Sequence, residues 1–390
     1  MTVIFFSRQF AWPLRTGASV HAGNMMKSLA RLGRRILLVT EGDLNPEAQS
    51  WLQGVTTIRL QPELYSGEGL VGFGALEKKG IGYIGASPAG IAAFRDFVRM
   101  EKPQGVVAVG MDSLPYLRDI PRDIRKAWYV ADDPLLAQWS GTTRTNFRMF
   151  ITQAVYQRIF KGSVDGTWLV SDRDAWWNRW ISGGSNPIVI PNGVDLGAFS
   201  TAKSKENRID KSCCFWGNLG FPPNRDALNF FLSGPWKKVV AEIPDAEFWI
   251  AGSEISEELR SSLAKASGVR YLGEVSDIRE SFSNIPIAVF PFQTGAGIKN
   301  KVLEAAAMSK SVLLSKRASN GLRGNWGNAM QLVVNESDWA ESLMKRMRNS
   351  ENTEIEGRDA RAWVESNHSW DSSARIADHF LAYGSASKRK

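Results

Sequence analysis

A chain of 390 residues, 43% hydrophobic and 23% charged, can fill two hydrophobic cores and lacks the composition of a fibre or a disordered tail. No run of about 18 apolar residues could span a bilayer, no opening stretch has a signal-peptide pattern, and adjacent Cys213 and Cys214 support neither a disulfide framework nor a metal site; a reducing cytoplasm fits best. The net charge of +8 is uneven: residues 1–190 hold 22 Lys/Arg against 16 Asp/Glu, so either this half meets an anionic partner, a membrane surface or nucleic acid, or the charge merely aids solubility.

The first element is the short apolar run VIFFS (Val3–Ser7). A loop containing Gly17 follows, then HAGNMMKSLARLG, where Met25, Met26, Leu29 and Leu32 recur at helical spacing and Gly33 caps the end. ILLVT, GVVAVG, AWYVAD and GTWLVS then read as buried strands separated by helical patterns, the βαβ rhythm of a covered parallel sheet. Asp132 and Asp133 end one such strand; a carboxylate there could orient or deprotonate a hydroxyl, or cap the helix opening at PLLAQW. In AWWNRW (Ala175–Trp180) three tryptophans beside an arginine could stack a sugar, face a membrane, or pack inward. The rhythm lapses in the polar stretch 191–210, which reads as a linker, and resumes through CCFWG, EFWIAG, VRYLG, IAVFPF and SVLLS. The expected architecture is therefore α/β, two doubly wound Rossmann-like domains (1–190 and 211–367) facing across a cleft, with ligands at the strand C-terminal edges.

The densest chemistry lies in PFQTGAGIKNKVLEAAAM (Pro291–Met308). Gly295 and Gly297 permit close backbone approach, and a helix opening near Ile298 offers unpaired N–H groups to an anion. On a 100° wheel Ile298, Val302, Ala305 and Ser309 form the sheet-facing stripe, whereas Gly297, Lys301 and Glu304 share another face and Lys299 sits in the first turn. Glu304 then lies roughly 10 Å from Gly297, a span suited to a nucleotide diphosphate-sugar. A glycine turn followed by solvated lysines is the plainer reading of the same residues.

Other segments occur with it in order: SDRDAWW…IVIPNGVDLGAF (Ser171–Phe199), FWGNLGFPPNRDALNFF (Phe215–Phe231), FWIAGSE (Phe248–Glu254), VRYLGEVSDIRESFSN leading into the stretch above, and HSW (His368–Trp370). Together they resemble the retaining GT-B glycosyltransferases of family 4, in particular the exopolysaccharide-cluster branch with a GxGxKNKVLEA motif. The resemblance implies a donor-binding C-terminal domain, an acceptor-side N-terminal domain, and a final segment, 368–390, that crosses back to the first domain. By position Glu304 matches the second glutamate of the family's Glu-x7-Glu signature, which holds the ribose hydroxyls. Gly17 matches a loop near the donor phosphates (an ordinary βα turn being the alternative), His21 a position for phosphate or acceptor contact (a capping or core role being the alternative), and Glu274 and Val275 the region that receives the base. Asn192-Gly193 is expected to form the turn at the linker, bordering the cleft.

Two departures stand out. The signature's first glutamate aligns with Ala296, and the usual diphosphate-holding arginine and lysine align with Asn218 and Pro223. A leaving diphosphate develops negative charge, so Lys299 and Lys301 become the expected replacements. The expected protein is a cytoplasmic enzyme, peripheral at the inner membrane face, that moves a sugar with retention from a nucleotide diphosphate-sugar to a lipid-linked saccharide or polysaccharide. Its expected catalytic set is Asp132, His21, Lys299 and Lys301; its donor set is Gly17, Asn218, Glu274, Val275, Gly295, Gly297, Lys299, Lys301 and Glu304, with no metal. A same-fold glycosyltransferase acting on modified DNA, a non-catalytic nucleotide-sugar-binding protein, and a nucleotide-sugar epimerase are the alternatives.

Overall fold

A computed structural model describes residues 1–10, 12, 17–65, 70–130, 144–182, 186–199, 208–295, 298–327 and 329–383. Asp132, Asp133, Ala296 and Gly297 lie outside the described residues. The chain divides into two compact units, Met1–Asn192 with Trp370–Lys390, and Gly193–Ser369.

In the first unit seven parallel strands are ordered β3-β2-β1-β4-β5-β6-β7: β1 (Thr2–Phe6), β2 (Arg35–Thr40), β3 (Val55–Arg59), β4 (Gly105–Val109), β5 (Arg125–Tyr129), β6 (Gly166–Leu169) and β7 (Pro187–Val189). The central strands are unbroken apolar runs because helices cover both faces; every residue of β4 is buried. The final helix, Trp370–Tyr383, packs on the Gly17–Arg31 helix, with Arg31 paired to Asp371 at 2.7 Å and Arg34 donating twice to Asp378 at 2.7 Å. Glycines in the strands make room for it. A Cβ on Gly105 would fall 2.7 Å from Leu381 Cδ2, and one on Gly166 would fall 2.9 Å from Phe380.

The second unit repeats the plan with six parallel strands ordered β10-β9-β8-β11-β12-β13: β8 (Ser212–Trp216), β9 (Glu247–Ala251), β10 (Val269–Tyr271), β11 (Ile287–Phe290), β12 (Ser311–Ser315) and β13 (Met330–Val333). Val194 belongs to this unit's core and donates its N–H to His368 O at 2.8 Å. Arg361 Nη1 likewise bonds Phe199 O at 2.7 Å, so the start of the expected linker is anchored to the second unit before the polar stretch begins. Among the described residues no helix is long and apolar enough to cross a membrane.

Candidate functional site

In the second sheet the connection direction reverses between β8 and β11, and the crevice beyond the C-terminal ends of such a pair is where open α/β sheets bind ligands. Two loops flank it. One runs from β8 through Gly217 into the Pro222–Ser233 helix, and the other from β11 through Gly295 into the Asn300–Ala307 helix. Gly217 has φ +148, and a Cβ there would fall 2.3 Å from Lys301 Nζ. Only glycine suits that backbone and leaves the ammonium its place. The neighbouring strand ends are stitched to this loop: Gly217 N–H donates to Ala251 O at 3.1 Å, Leu219 N–H to Ser253 O at 2.8 Å, and Gly252 N–H to Gly273 O at 2.8 Å.

Lys301 Nζ donates to Asn224 Oδ1 at 2.8 Å, and Asn224 Nδ2 donates in turn to Asn218 O at 2.6 Å. The ammonium lies over the Phe215 and Phe292 rings, 5.0 and 5.4 Å from their centroids. Burial, reinforced by the Lys299 charge and opposed by Glu304, pushes Lys301 down to about 7. One turn on, Glu304 Oε2 accepts from Trp216 Nε1 at 2.9 Å, and burial raises its carboxyl against the pull of Trp216 and Lys301. Lys299 is the N-cap residue just before the helix, with Nζ 5.6 Å from the Phe292 ring centroid. Gly295 has φ +96, and a Cβ there would lie 3.2 Å from both Lys299 Nζ and Pro223. Two lysines, a carboxylate and glycine-lined backbone are thus assembled at one switch point, an arrangement that can hold an anion and hydroxyl groups at once.

Several expectations need restating. The helix opens at Asn300 rather than near Ile298, and Ser309 lies beyond its end with φ +54; Val302 and Ala305 are buried as expected, Ile298 packs partly against the core, and Leu303, Ala306 and Ala307 widen the buried face. Glu274 is exposed just after β10, while Val275 packs partly into the core. Gly17 opens the first helix. His21 is 1% exposed, its ring edge-on to Tyr129 at 5.0 Å and to Trp370 at 4.7 Å, and burial pushes its pKa down to about 3. That packing presents no imidazole to a phosphate; His21 takes the core alternative because Trp370 of the returning helix covers it. Inward packing of AWWNRW is only partial: Trp176 is 58% and Trp180 64% exposed.

Residues not singled out from sequence also gather at the switch point of the first sheet, between β1 and β4. Arg8 Nε donates to Glu41 Oε2 at 3.0 Å, Tyr116 Oη to Glu41 Oε1 at 2.5 Å, and Asp112 lies 4.0 Å from Arg8 Nη1 with its carboxyl raised by burial. Glycines after strands and an Arg soon after β1 were the available signals. Elsewhere, a cavity of about 530 Å³ beside β13 holds Arg346 and Glu356, but Arg346 is already committed to Ser311, Gln331 and Glu356 within the fold.

Residues 210–350 match the family described as glycosyl transferases group 1. The matched residues lie within the second unit, which is similar to group 1 glycosyltransferases. A phosphatidyl-myo-inositol mannosyltransferase of Mycolicibacterium smegmatis is 27% identical over 194 residues, 48% of this chain and 49% of that protein. The match spans about half the length of the curated relatives. Among solved structures, sucrose-phosphate synthase of Thermosynechococcus elongatus aligns with a TM-score of 0.66 at 14% identity, covering 98% of both chains. HepE of Anabaena, in complex with UDP, aligns at 0.68 with 13% identity, covering 98% of this chain and 100% of that one. These likenesses carry the fold, which is GT-B: two Rossmann-like α/β units. In the second unit the Gly217 loop holds Asn218 and Pro223, and the ammonium beside that loop belongs to Lys301.

Proposed function

We propose that the chain is a glycosyltransferase (EC 2.4 class) that moves a sugar, with retention, from a nucleotide diphosphate-sugar held by the second unit to a hydroxyl acceptor held by the first. The observation that carries this reading is Lys301 Nζ seated in the space that a side chain on Gly217 would fill, one helical turn from Glu304. Cation supply has shifted from the Gly217 loop to the Gly295–Lys301 segment, yet the charge returns to the same place. Lys299, Lys301 and the helix N-terminus neutralise the leaving diphosphate, and Glu304 takes the ribose hydroxyls. The site supplies its own cations, so turnover needs no divalent metal and withstands chelators. The UDP bound to HepE and the lipid acceptor implied by the name phosphatidyl-myo-inositol mannosyltransferase motivate the donor and acceptor classes.

The acceptor is a lipid-linked saccharide or cell-surface polysaccharide, met at an anionic membrane face. Exposed Trp176 and Trp180 alternate with exposed Arg173 and Arg179, the mixture of amphipathic rings and cations that suits a headgroup layer. Thermal-shift titration with UDP, GDP, ADP and their sugars tests the donor site, because a ligand of the native state raises its stability. Slow donor hydrolysis by the purified chain, lost in Glu304→Ala, supports catalysis; no shift with any nucleotide refutes the reading. Product anomer analysis by NMR decides retention. Saturable, salt-sensitive duplex binding would instead favour a modified-DNA acceptor.

A further inference from the structure

The surroundings of Glu304 point to a specificity determinant, an inference that rests on the donor-site reading above. Trp216 is 4% exposed, and a buried indole N–H requires an acceptor; Glu304 Oε2, at 2.9 Å, is that acceptor. A carboxylate partly withdrawn from water gains from a fixed donor in turn, and the indole N–H supplies one. The indole is held on two sides, stacked on Phe282 at 5.6 Å and 30°, and met edge-on by Phe290 at 5.4 Å and 81°. Phe282 is itself anchored, because buried Lys310 Nζ donates to its carbonyl at 2.6 Å and to that of Ile285 at 2.5 Å. Among the described residues Trp216 is the one donor that reaches the Glu304 carboxylate, and Lys301 Nζ bonds Asn224 instead. Glu304 remains half-buried rather than closed off, so its other acceptor positions are open to incoming hydroxyls.

We infer that Trp216 is a positioning residue that presets the Glu304 carboxylate for a vicinal diol, and so makes the site select ribonucleoside over 2′-deoxyribonucleoside diphosphates. Without the indole N–H the carboxylate is free to rotate and less favoured in its ionised form. The diol then meets an acceptor that must be reoriented on binding.

The test compares UDP with 2′-deoxy-UDP by calorimetric titration of the full chain and its Trp216→Phe, Glu304→Ala and doubly substituted variants. Wild type prefers UDP. Trp216→Phe weakens UDP by roughly ten- to a hundredfold, the range for a hydrogen bond to a charged group, and weakens 2′-deoxy-UDP far less, so the preference collapses. In the Glu304→Ala background the same change costs nothing further. Trp216→His, which keeps a ring N–H, recovers part of the preference and guards against a folding defect. A wild-type preference in Trp216→Phe overturns the inference, as does equal weakening of both nucleotides with a lowered Tm. Failure of wild type to bind either nucleotide would instead sink the donor-site reading itself.

Discussion

Nucleotide binding by the second unit should take up a proton at Lys301. Burial holds this ammonium at about 7 in the ligand-free protein, against about 10.4 for an unperturbed lysine. A diphosphate beside Nζ favours the charged form and returns the group toward its ordinary value. Affinity then follows the protonated fraction of the free protein: about one half at pH 7 and about one thirtieth at pH 8.5. The Kd for UDP should therefore rise about fifteenfold between those pH values and about tenfold per unit beyond them. On the acid side protonation of the Glu304 carboxyl, which burial raises above its usual range, should weaken nucleotide binding again. Titration calorimetry at pH 7.5, repeated in buffers of different ionisation enthalpy, should register uptake of roughly 0.8 proton that disappears in Lys301→Met. The same pKa has a consequence for stability. A lysine whose folded pKa is depressed contributes stability fully present above its unfolded pKa and lost as pH falls toward 7. Lys301→Met should therefore raise the ligand-free Tm at pH 7 while abolishing the rise produced by UDP. A Kd flat from pH 7 to 9 with no proton uptake in wild type would refute the reasoning.

Gly217→Ala puts a Cβ 2.3 Å from Lys301 Nζ at φ +148; it should cost about 1–3 kcal/mol in urea unfolding and displace the ammonium, with UDP affinity falling at least tenfold. His21 titrates at about 3 in the fold against 6.5 unfolded, so its contribution is present in full above pH 6.5 and is lost as pH falls toward 3, at about 1.4 kcal/mol per unit. His21→Phe should flatten that part of an acid-unfolding profile; an unchanged slope between pH 6 and 4 would contradict the assignment. Asp112→Asn, at the switch point of the first sheet, should lower kcat while leaving the Kd for UDP unchanged, and a parallel loss of both would place its effect on folding instead.

The strands that could be read directly were those whose every residue is buried, such as β4, β8 and β11, because cover on both faces forces an uninterrupted apolar run. The edge strands β3 and β13 and the three-residue β7 escaped notice. Each has one neighbour and part of its surface open, so VTTIR and MQLV carry polar residues that blur the pattern. At the site, local spacing put Lys301 and Glu304 on one helical face. Their partners were invisible, since Gly217, Asn224 and Trp216 are far away in the chain and meet them only because β8 pairs with β11. His21 misled for the same reason: a polar residue at a helix start looks available until Trp370, near the other end of the chain, is laid over it.

The residue pattern by itself determined two alternating α/β units, the glycine-rich junction before the Lys301 helix, and the relative placement of lysine and glutamate along it. These follow from short-range periodicity and backbone sterics, which neighbouring residues settle among themselves. Tertiary structure alone decided which groups carry perturbed protonation and which are held in place. Desolvation of Lys301, Glu304 and His21, and the indole N–H that reaches Glu304, arise from residues distant in sequence that the parallel sheets bring into contact.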